Sequence, residues 1–281
     1  MICKRILPGI ELKSCIKEYV VMHFLFGDIS QPLPPKAYPV NPEEAIRFLV
    51  LGKLHSQNVV TGQIVELPAI SVIGQPTWRQ NLYISHQFLM VYIRFQPGCL
   101  FKLLKIPMTE LVDQHIDATA IFGNEINEVH EQLAESETYD GMISILENYF
   151  ISKFRKLKDN SHPIDSIGQS ILQNPQGFNL ERIAKEACFS HRQFEKRFQQ
   201  LTGIMPKYFA RICRFYRAYE LKEYNPKLDW LSVAVRTGYN DYQHLVKDFK
   251  EFAGTTPNIL ISQSSNNPER ALSVSDGFRG V

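Results

Sequence analysis

Phe189-Ser-His-Arg-Gln-Phe-Glu-Lys-Arg-Phe-Gln-Gln-Leu-Thr-Gly-Ile-Met-Pro206 and, about fifty positions later, Tyr239-Asn-Asp-Tyr-Gln-His-Leu-Val-Lys-Asp-Phe-Lys-Glu-Phe-Ala-Gly-Thr-Thr-Pro257 are two copies of one pattern. Upstream, Ala184-x3-Cys188-Phe189-Ser190 answers Ala234-x3-Gly238-Tyr239-Asn240. With one residue inserted, Phe194-x3-Phe198-x4-Gly203-x2-Pro206 then answers Leu245-x3-Phe249-x4-Gly254-x2-Pro257. An internal repeat fixes the supersecondary unit. Here each unit, within the stretch from about Asn174 to Ile261, reads as a short helix, a tight turn and a second helix.

In the first unit Leu180, Ile183, Ala184 and Ala187 form one apolar stripe at helical spacing. Ser190 suits an N-cap, with Gln193 three residues on completing a capping box. Phe194, Phe198 and Leu201 continue the core face, and Gly203 stands where a helix end favours positive φ. The second unit repeats this with Leu231, Ala234, Gly238, a cap at Asn240 or Asp241, Leu245, Phe249 and Gly254. The outward faces follow from the inward ones. They carry His191, Arg192, Glu195, Lys196 and Gln199 in the first copy and Tyr242, Gln243, Val246 and Lys247 in the second. Arg and Lys suit guanine, Gln adenine, Glu cytosine and Val a thymine methyl, so both stripes are suited to base edges.

The set Phe-Ser-x3-Phe-x3-Phe-x4-Gly-x2-Pro, a long helix, Val-Ala-x3-Gly-Tyr-x-Asp and Phe-Lys-x3-Gly-x2-Pro resembles the DNA-binding domain of the AraC/XylS family. The resemblance covers roughly the last hundred residues before the tail. It implies a bacterial transcription regulator that places two recognition helices in successive major-groove segments of double-stranded DNA. RNA polymerase is the further partner that it implies for an activator of this type. Arg192, Glu195 and Lys196 match base-contact positions of the first helix, and Tyr242, Gln243, Val246 and Lys247 those of the second. Cys188 departs from the glycine common at that turn.

A chain of 281 residues has room for two domains. Its net charge of +2 conceals an asymmetry: residues 174–261 hold fourteen Lys/Arg and nine Asp/Glu, leaving seventeen and twenty elsewhere. The basic excess therefore sits where the DNA-binding pattern sits. Five dispersed cysteines, with no Cys-x-x-Cys, argue against a disulfide framework or zinc site and for a reducing compartment. No signal-peptide pattern follows Met1, and no apolar run approaches a membrane span, so a cytoplasmic protein without membrane contact is expected.

The expected fold class is α+β: a sheet-rich N-terminal domain with trailing helices, then an all-α domain of two helix-turn-helix units joined by a long helix. Tyr19–Phe26, Ile46–Leu51, Val59–Val65, Ala69–Gly74 and Phe88–Phe95 read as strands. Residues 1–155 are expected to form a sensing or dimerising domain and 156–163 a polar linker. The DNA-binding domain is then 164–262, followed by a disordered Ser-, Asn- and Gly-rich tail at 263–281. Between the units, Pro206–Glu223 suits the long helix, with Arg211, Arg214 and Arg217 solvated, paired with Glu220 and Glu223, or touching phosphate. In the family the residue that Arg214 resembles is largely structural.

Tyr92-Ile-Arg94-Phe95-Gln-Pro97-Gly98, an apolar helix and Pro107-x2-Glu110-Leu111 are similar to an uncharacterised domain found ahead of AraC-type domains. That similarity implies a sensing or dimerising role, with a small-molecule effector or a homodimer as its partner. Trp78, His86, Tyr92 and Arg94 could line a pocket for such a molecule, against the plainer reading that they pack the sheet. The histidines show no metal-ligand spacing, and nothing calls for a cofactor. Gly-x-Ser-x-Gly, a phosphate loop and His-Glu-x-x-His are all absent, which argues against an enzyme.

Overall fold

Alternating apolar residues resolve into ten strands among the described residues up to position 117. They are β1 (Ile2–Ile6), β2 (Ile16–Leu25), β3 (Lys36–Tyr38), β4 (Ala45–Leu51), β5 (Leu54–Asn58), β6 (Ile64–Glu66), β7 (Ile70–Ile73), β8 (Gln80–Ile84), β9 (Gln87–Phe95) and β10 (His115–Asp117). The structure, a computed structural model, describes residues 2–27, 32–157 and 164–271. The strands form a six-stranded sheet, β1-β2-β9-β4-β7-β10, and a four-stranded one, β3-β8-β5-β6. Every pairing is antiparallel.

Strand periodicity of two divides the six-stranded sheet between two cores. On one face Ile46, Phe48, Val91, Ile93 and Phe95 pack with α1 (Cys99–Leu104), α3 (Glu125–Glu135) and α4 (Tyr139–Arg155); the short α2 spans Thr119–Phe122. On the other face Val20, Phe24, Phe88 and Met90 meet Leu54 of the smaller sheet. The expected strand Val59–Val65 is mostly a turn. The Asn58 Oδ1 accepts the N–H groups of Val60 at 2.8 Å and Thr61 at 3.1 Å, and only Ile64–Glu66 pairs. Asparagine bonding its own backbone outcompetes the β propensity of two valines.

The C-terminal part is helical: α5 (Ile164–Gln173), α6 (Leu180–Glu186), α7 (His191–Thr202), α8 (Pro206–Tyr224), α9 (Trp230–Arg236), α10 (Tyr242–Ala253), α11 (Pro257–Ser265) and α12 (Pro268–Ala271). Phe194, Phe198, Ile212, Phe215, Leu245, Phe249 and Phe252 are among its fully buried residues. The tail expected to be disordered from 263 instead holds the end of α11, a turn and α12 as far as 271. Asn267 there accepts the Ala37 N–H at 3.0 Å, and Arg270 pairs with Glu223. Polar composition suggested disorder, but these side chains find buried partners that local composition does not reveal. The expected linker at 156–163 and the tail beyond 271 lie, apart from Lys156 and Leu157, outside the described residues.

The two parts touch at both helix-turn-helix units. Beside α7, Arg197 lies over the Phe101 ring at 5.2 Å. At the end of α10, Phe252 O accepts the Val40 N–H and Ala253 O accepts from Arg79, each at 3.2 Å. The equivalent glycines of the repeat show what this contact demands. Gly203 has φ +87°, and a Cβ there would lie 2.7 Å from Val112 Cγ2 and 2.9 Å from Met108 O. Gly254 has φ +62° and nothing within 4 Å. Gly254→Ala is therefore expected to lose about 1–2 kcal/mol from left-handed backbone alone. Gly203→Ala adds overpacking and should lose about 2–4 kcal/mol in urea unfolding. Equal losses would count against the interdomain packing.

Candidate nucleic-acid interface and the N-terminal cavity

Each helix-turn-helix unit is held by local bonds that recur at equivalent positions. Phe189 N–H bonds Ala184 O at 3.0 Å, and Tyr239 N–H bonds Ala234 O at 2.9 Å. Cys188 takes φ +58° and its counterpart Gly238 φ +80°, so the turn keeps its left-handed residue although one copy lacks glycine. At the start of α7, Ser190 Oγ accepts the Gln193 N–H at 3.4 Å, and Gln193 Oε1 accepts the Ser190 N–H at 3.1 Å. That is the expected capping box. At α10 the cap is Asp241, whose carboxylate accepts the His244 N–H at 2.8 Å.

These caps set which face of each helix is wet. Phe194, Phe198 and Leu201 of α7 are buried, as are Leu245, Phe249 and Phe252 of α10. His191, Arg192, Lys196, Tyr242, Gln243 and Lys247 are exposed, and Glu195, Gln199 and Val246 are half-buried. In α10 the outward stripe lies in the N-terminal half and the interdomain contacts at the C-terminal end; in α7 the stripe runs to Gln199, past Arg197, which faces Phe101.

The α8 arginines have partners different from those expected. Arg211 donates to Asp248 Oδ1 at 2.7 Å and to Glu251, and Arg214 donates to Asp248 Oδ2 at 3.0 Å. The Arg214 guanidinium also lies 4.2 Å from the centre of the Tyr239 ring, whose hydroxyl donates to Asp248 at 2.9 Å. Burial, and then the charge of Asp248, push the Tyr239 phenol up. Arg217 donates to Gln173 O, while Glu220 pairs with Arg5 and Glu223 with Arg270. One buried carboxylate on α10 thus fixes α8 against the second unit. Asp248 reads locally as one more polar residue of an exposed helix; its place at i+3 from the core residue Leu245 and beside Phe249 was the available signal.

A narrow cavity of about 60 Å³ opens between the two sheets of the N-terminal part. Tyr92 and Arg94, two apart on β9, line it; Trp78 and His86 do not. Those two lie in bends outside the strands and only half-buried, so the sheet does not turn them inward. In their place the cavity is lined by Tyr38, Glu43, Arg47, Gln80 and His115, with an apolar wall including Phe24, Leu54 and Met90. Tyr38 donates to both Glu43 oxygens, at 2.8 and 2.9 Å, and Tyr92 donates to the same carboxylate. Arg94 bonds Glu18 at 2.8 Å and stands 3.8 Å from Glu43. Burial pushes the Tyr92 phenol up and pulls Arg47 down to about 10. Burial, and then the charge of Arg47, pulls His115 down to about 3, leaving it neutral. A lone arginine inside the apolar run Ala45–Leu51 was the sequence signal for this site. No cluster of three or more metal-type side chains occurs among the described residues.

Residues 183–262 match the family described as a helix-turn-helix domain, and residues 4–117 match a domain of unknown function, DUF6597. The chain is similar to the Msm operon regulatory protein of Streptococcus mutans, 23% identical over 57% of this chain and 58% of that protein. It is also similar to an uncharacterised HTH-type transcriptional regulator of Haemophilus influenzae, 32% identical over 31% of this chain and 30% of that one. It thus spans well under two-thirds of the length of either curated relative. Among solved structures, ToxT of Vibrio cholerae aligns over 87% of this chain and 98% of its own, at 10% identity and TM-score 0.48. No helix among the described residues is long and apolar enough to cross a membrane. The chain carries an AraC-type helix-turn-helix domain at residues 183–262, preceded at 4–117 by a DUF6597 domain.

Proposed function

We propose that this chain is a cytoplasmic, sequence-specific DNA-binding transcription regulator. The observation that carries this reading is the pair of equivalently capped helices, α7 and α10, with polar and basic outward stripes on a repeated scaffold. The two helices enter successive major-groove segments about one turn apart. Arg192, Glu195 and Lys196 read bases in one segment and Tyr242, Gln243, Val246 and Lys247 in the other, with His191 and Gln199 at the edges of the first. Lys and Arg contacts to phosphate set the register without carrying sequence information. The N-terminal part governs this DNA binding through a small-molecule effector or self-association into a homodimer. RNA polymerase is the partner through which bound protein acts, and the chain itself is not an enzyme.

The test is discrimination between operator and random duplex, after genome-wide capture of DNA by the intact protein has supplied the operator. Arg192→Ala and Lys196→Ala are each expected to cost about 1–3 kcal/mol on the operator, relaxing specificity at particular base pairs. A substitution that weakens both duplexes equally would reassign that side chain to phosphate. Unchanged binding to both would remove α7 from the interface.

A further inference from the structure

We propose that the cavity between the two sheets is a binding site for a short-chain monocarboxylate, whose head sits on Arg47 and whose apolar tail faces Phe24, Leu54 and Met90. This rests on the reading of the N-terminal part as an effector domain and gives that effector a chemical class.

The argument begins with Arg47. Its side chain lies on β4, on the cavity face, and the residue is 2% exposed. A guanidinium so placed ordinarily has a carboxylate opposite it, because stripping water from an ion costs several kcal/mol. Arg47 has no ion pair among the described residues. Its Nη2 donates to Ser71 Oγ at 2.7 Å, and its buried Nε has no hydrogen-bond partner among the described residues. The neighbouring carboxylate, Glu43, is already engaged by the hydroxyls of Tyr38 and Tyr92 and stands 3.8 Å from Arg94. Arg47 and Arg94 line the cavity against the single carboxylate of Glu43, so this part of the wall carries a positive excess. His115 is neutral and its Nε2 lies 3.2 Å from Gln80 Oε1, so its buried Nδ1 offers a lone pair, and the unmatched donor in the lining is Arg47. The unmatched donor charge of Arg47 therefore suits an anionic group.

Charge and size narrow the class. Arg94 is shared with Glu18, so the charge left to balance is essentially that of Arg47, which favours a monoanion over a phosphate or dicarboxylate. The rest of the wall is aliphatic or aromatic, which demands an apolar tail. A volume of about 60 Å³ holds roughly four to six water-sized groups. Four- and five-carbon acids fill that space, and a ten-carbon acid does not.

Calorimetry and thermal unfolding of the full chain, without DNA, with butanoate, 3-methylbutanoate, butanamide and decanoate test this. Butanoate or 3-methylbutanoate is expected to bind and raise the melting temperature, while butanamide and decanoate leave it unchanged. Arg47→Met should weaken carboxylate binding about 10- to 150-fold, the factor carried by one charge-assisted hydrogen bond. Arg47→Lys should retain part of the affinity and serves if the Met variant does not fold. Equal binding of butanamide, tighter binding of decanoate, or undiminished binding by Arg47→Met would overturn the proposal, as would no response to either short acid. Operator discrimination by α7 and α10, measured separately, fails or survives independently of all these outcomes.

Discussion

Asp248→Ala is expected to destabilise the chain by about 3 kcal/mol and to abolish the DNA affinity contributed by the second helix-turn-helix unit. The carboxylate is nearly inaccessible, its side chain 4% exposed, and accepts from Arg211, Arg214 and Tyr239. Removing it strands the Arg214 guanidinium, 28% exposed, and a buried phenol, while Arg211, also 28% exposed, keeps Glu251. A buried pair broken on one side costs about 3–5 kcal/mol, and partial exposure of the arginines argues for the lower end. Asp248→Asn keeps an acceptor for one partner and should lose roughly half as much. Urea unfolding at neutral pH measures both. The DNA readout separates this structural role from direct recognition: if Arg211 or Arg214 served phosphate, freeing them would strengthen non-specific binding and steepen its salt dependence. The network argues for the opposite, since α10 loses the bonds that orient it on α8. A wild-type urea midpoint in Asp248→Ala would refute this account.

What the sequence made legible here was whatever is decided within a few residues. Ser190 with Gln193, the left-handed turn at Cys188 and Gly238, and the helix stops at Gly203 and Gly254 are bonds or dihedrals spanning at most five positions, and all were readable from spacing. The exposed stripes followed because helical period fixes the wet face once the core face is known. The pairing of Arg211 and Arg214 crosses 37 and 34 positions to Asp248, and no local pattern announces it. The same holds for the end of α11, α12 and the turn between them, whose Asn267 reaches Ala37 across 230 positions. In the cavity, Tyr92 and Arg94 were accessible through strand period. Trp78 and His86 have the residue types of a pocket wall, but bends place them elsewhere. Arg47 shows in the sequence only as a lone arginine in an apolar run; that no carboxylate pairs with it among the described residues shows in three dimensions alone.

Glu44 should make the stability of the protein fall as pH rises, and Glu44→Gln should remove most of that slope. Its carboxylate is buried where β4 meets the start of α1, accepting the Gly98 N–H with both oxygens at 3.0 and 3.1 Å. Burial pushes its pKa up to about 8, against the opposing pull of the bonds from Gly98 and Leu100. An unfolded glutamate titrates near 4.3. Between those values the folded chain holds a proton that the unfolded chain releases, so the contribution is complete below about pH 4 and is lost as pH climbs towards 8. The unfolding free energy of the wild type should decline by on the order of 3 kcal/mol from pH 5 to pH 8 relative to Glu44→Gln. The glutamine keeps a carbonyl for Gly98 and cannot ionise, so its own titration is silent, and above pH 8 it should be the more stable protein. Because α1 carries Phe101 against Arg197 of α7, ionising Glu44 should also loosen the support of α7. Operator affinity should therefore fall with pH in the wild type before global unfolding begins, and hold in the glutamine variant. Parallel pH profiles for the two proteins, in unfolding and in DNA binding, would show that Glu44 stays ionised against the Gly98 amide and that burial does not control it.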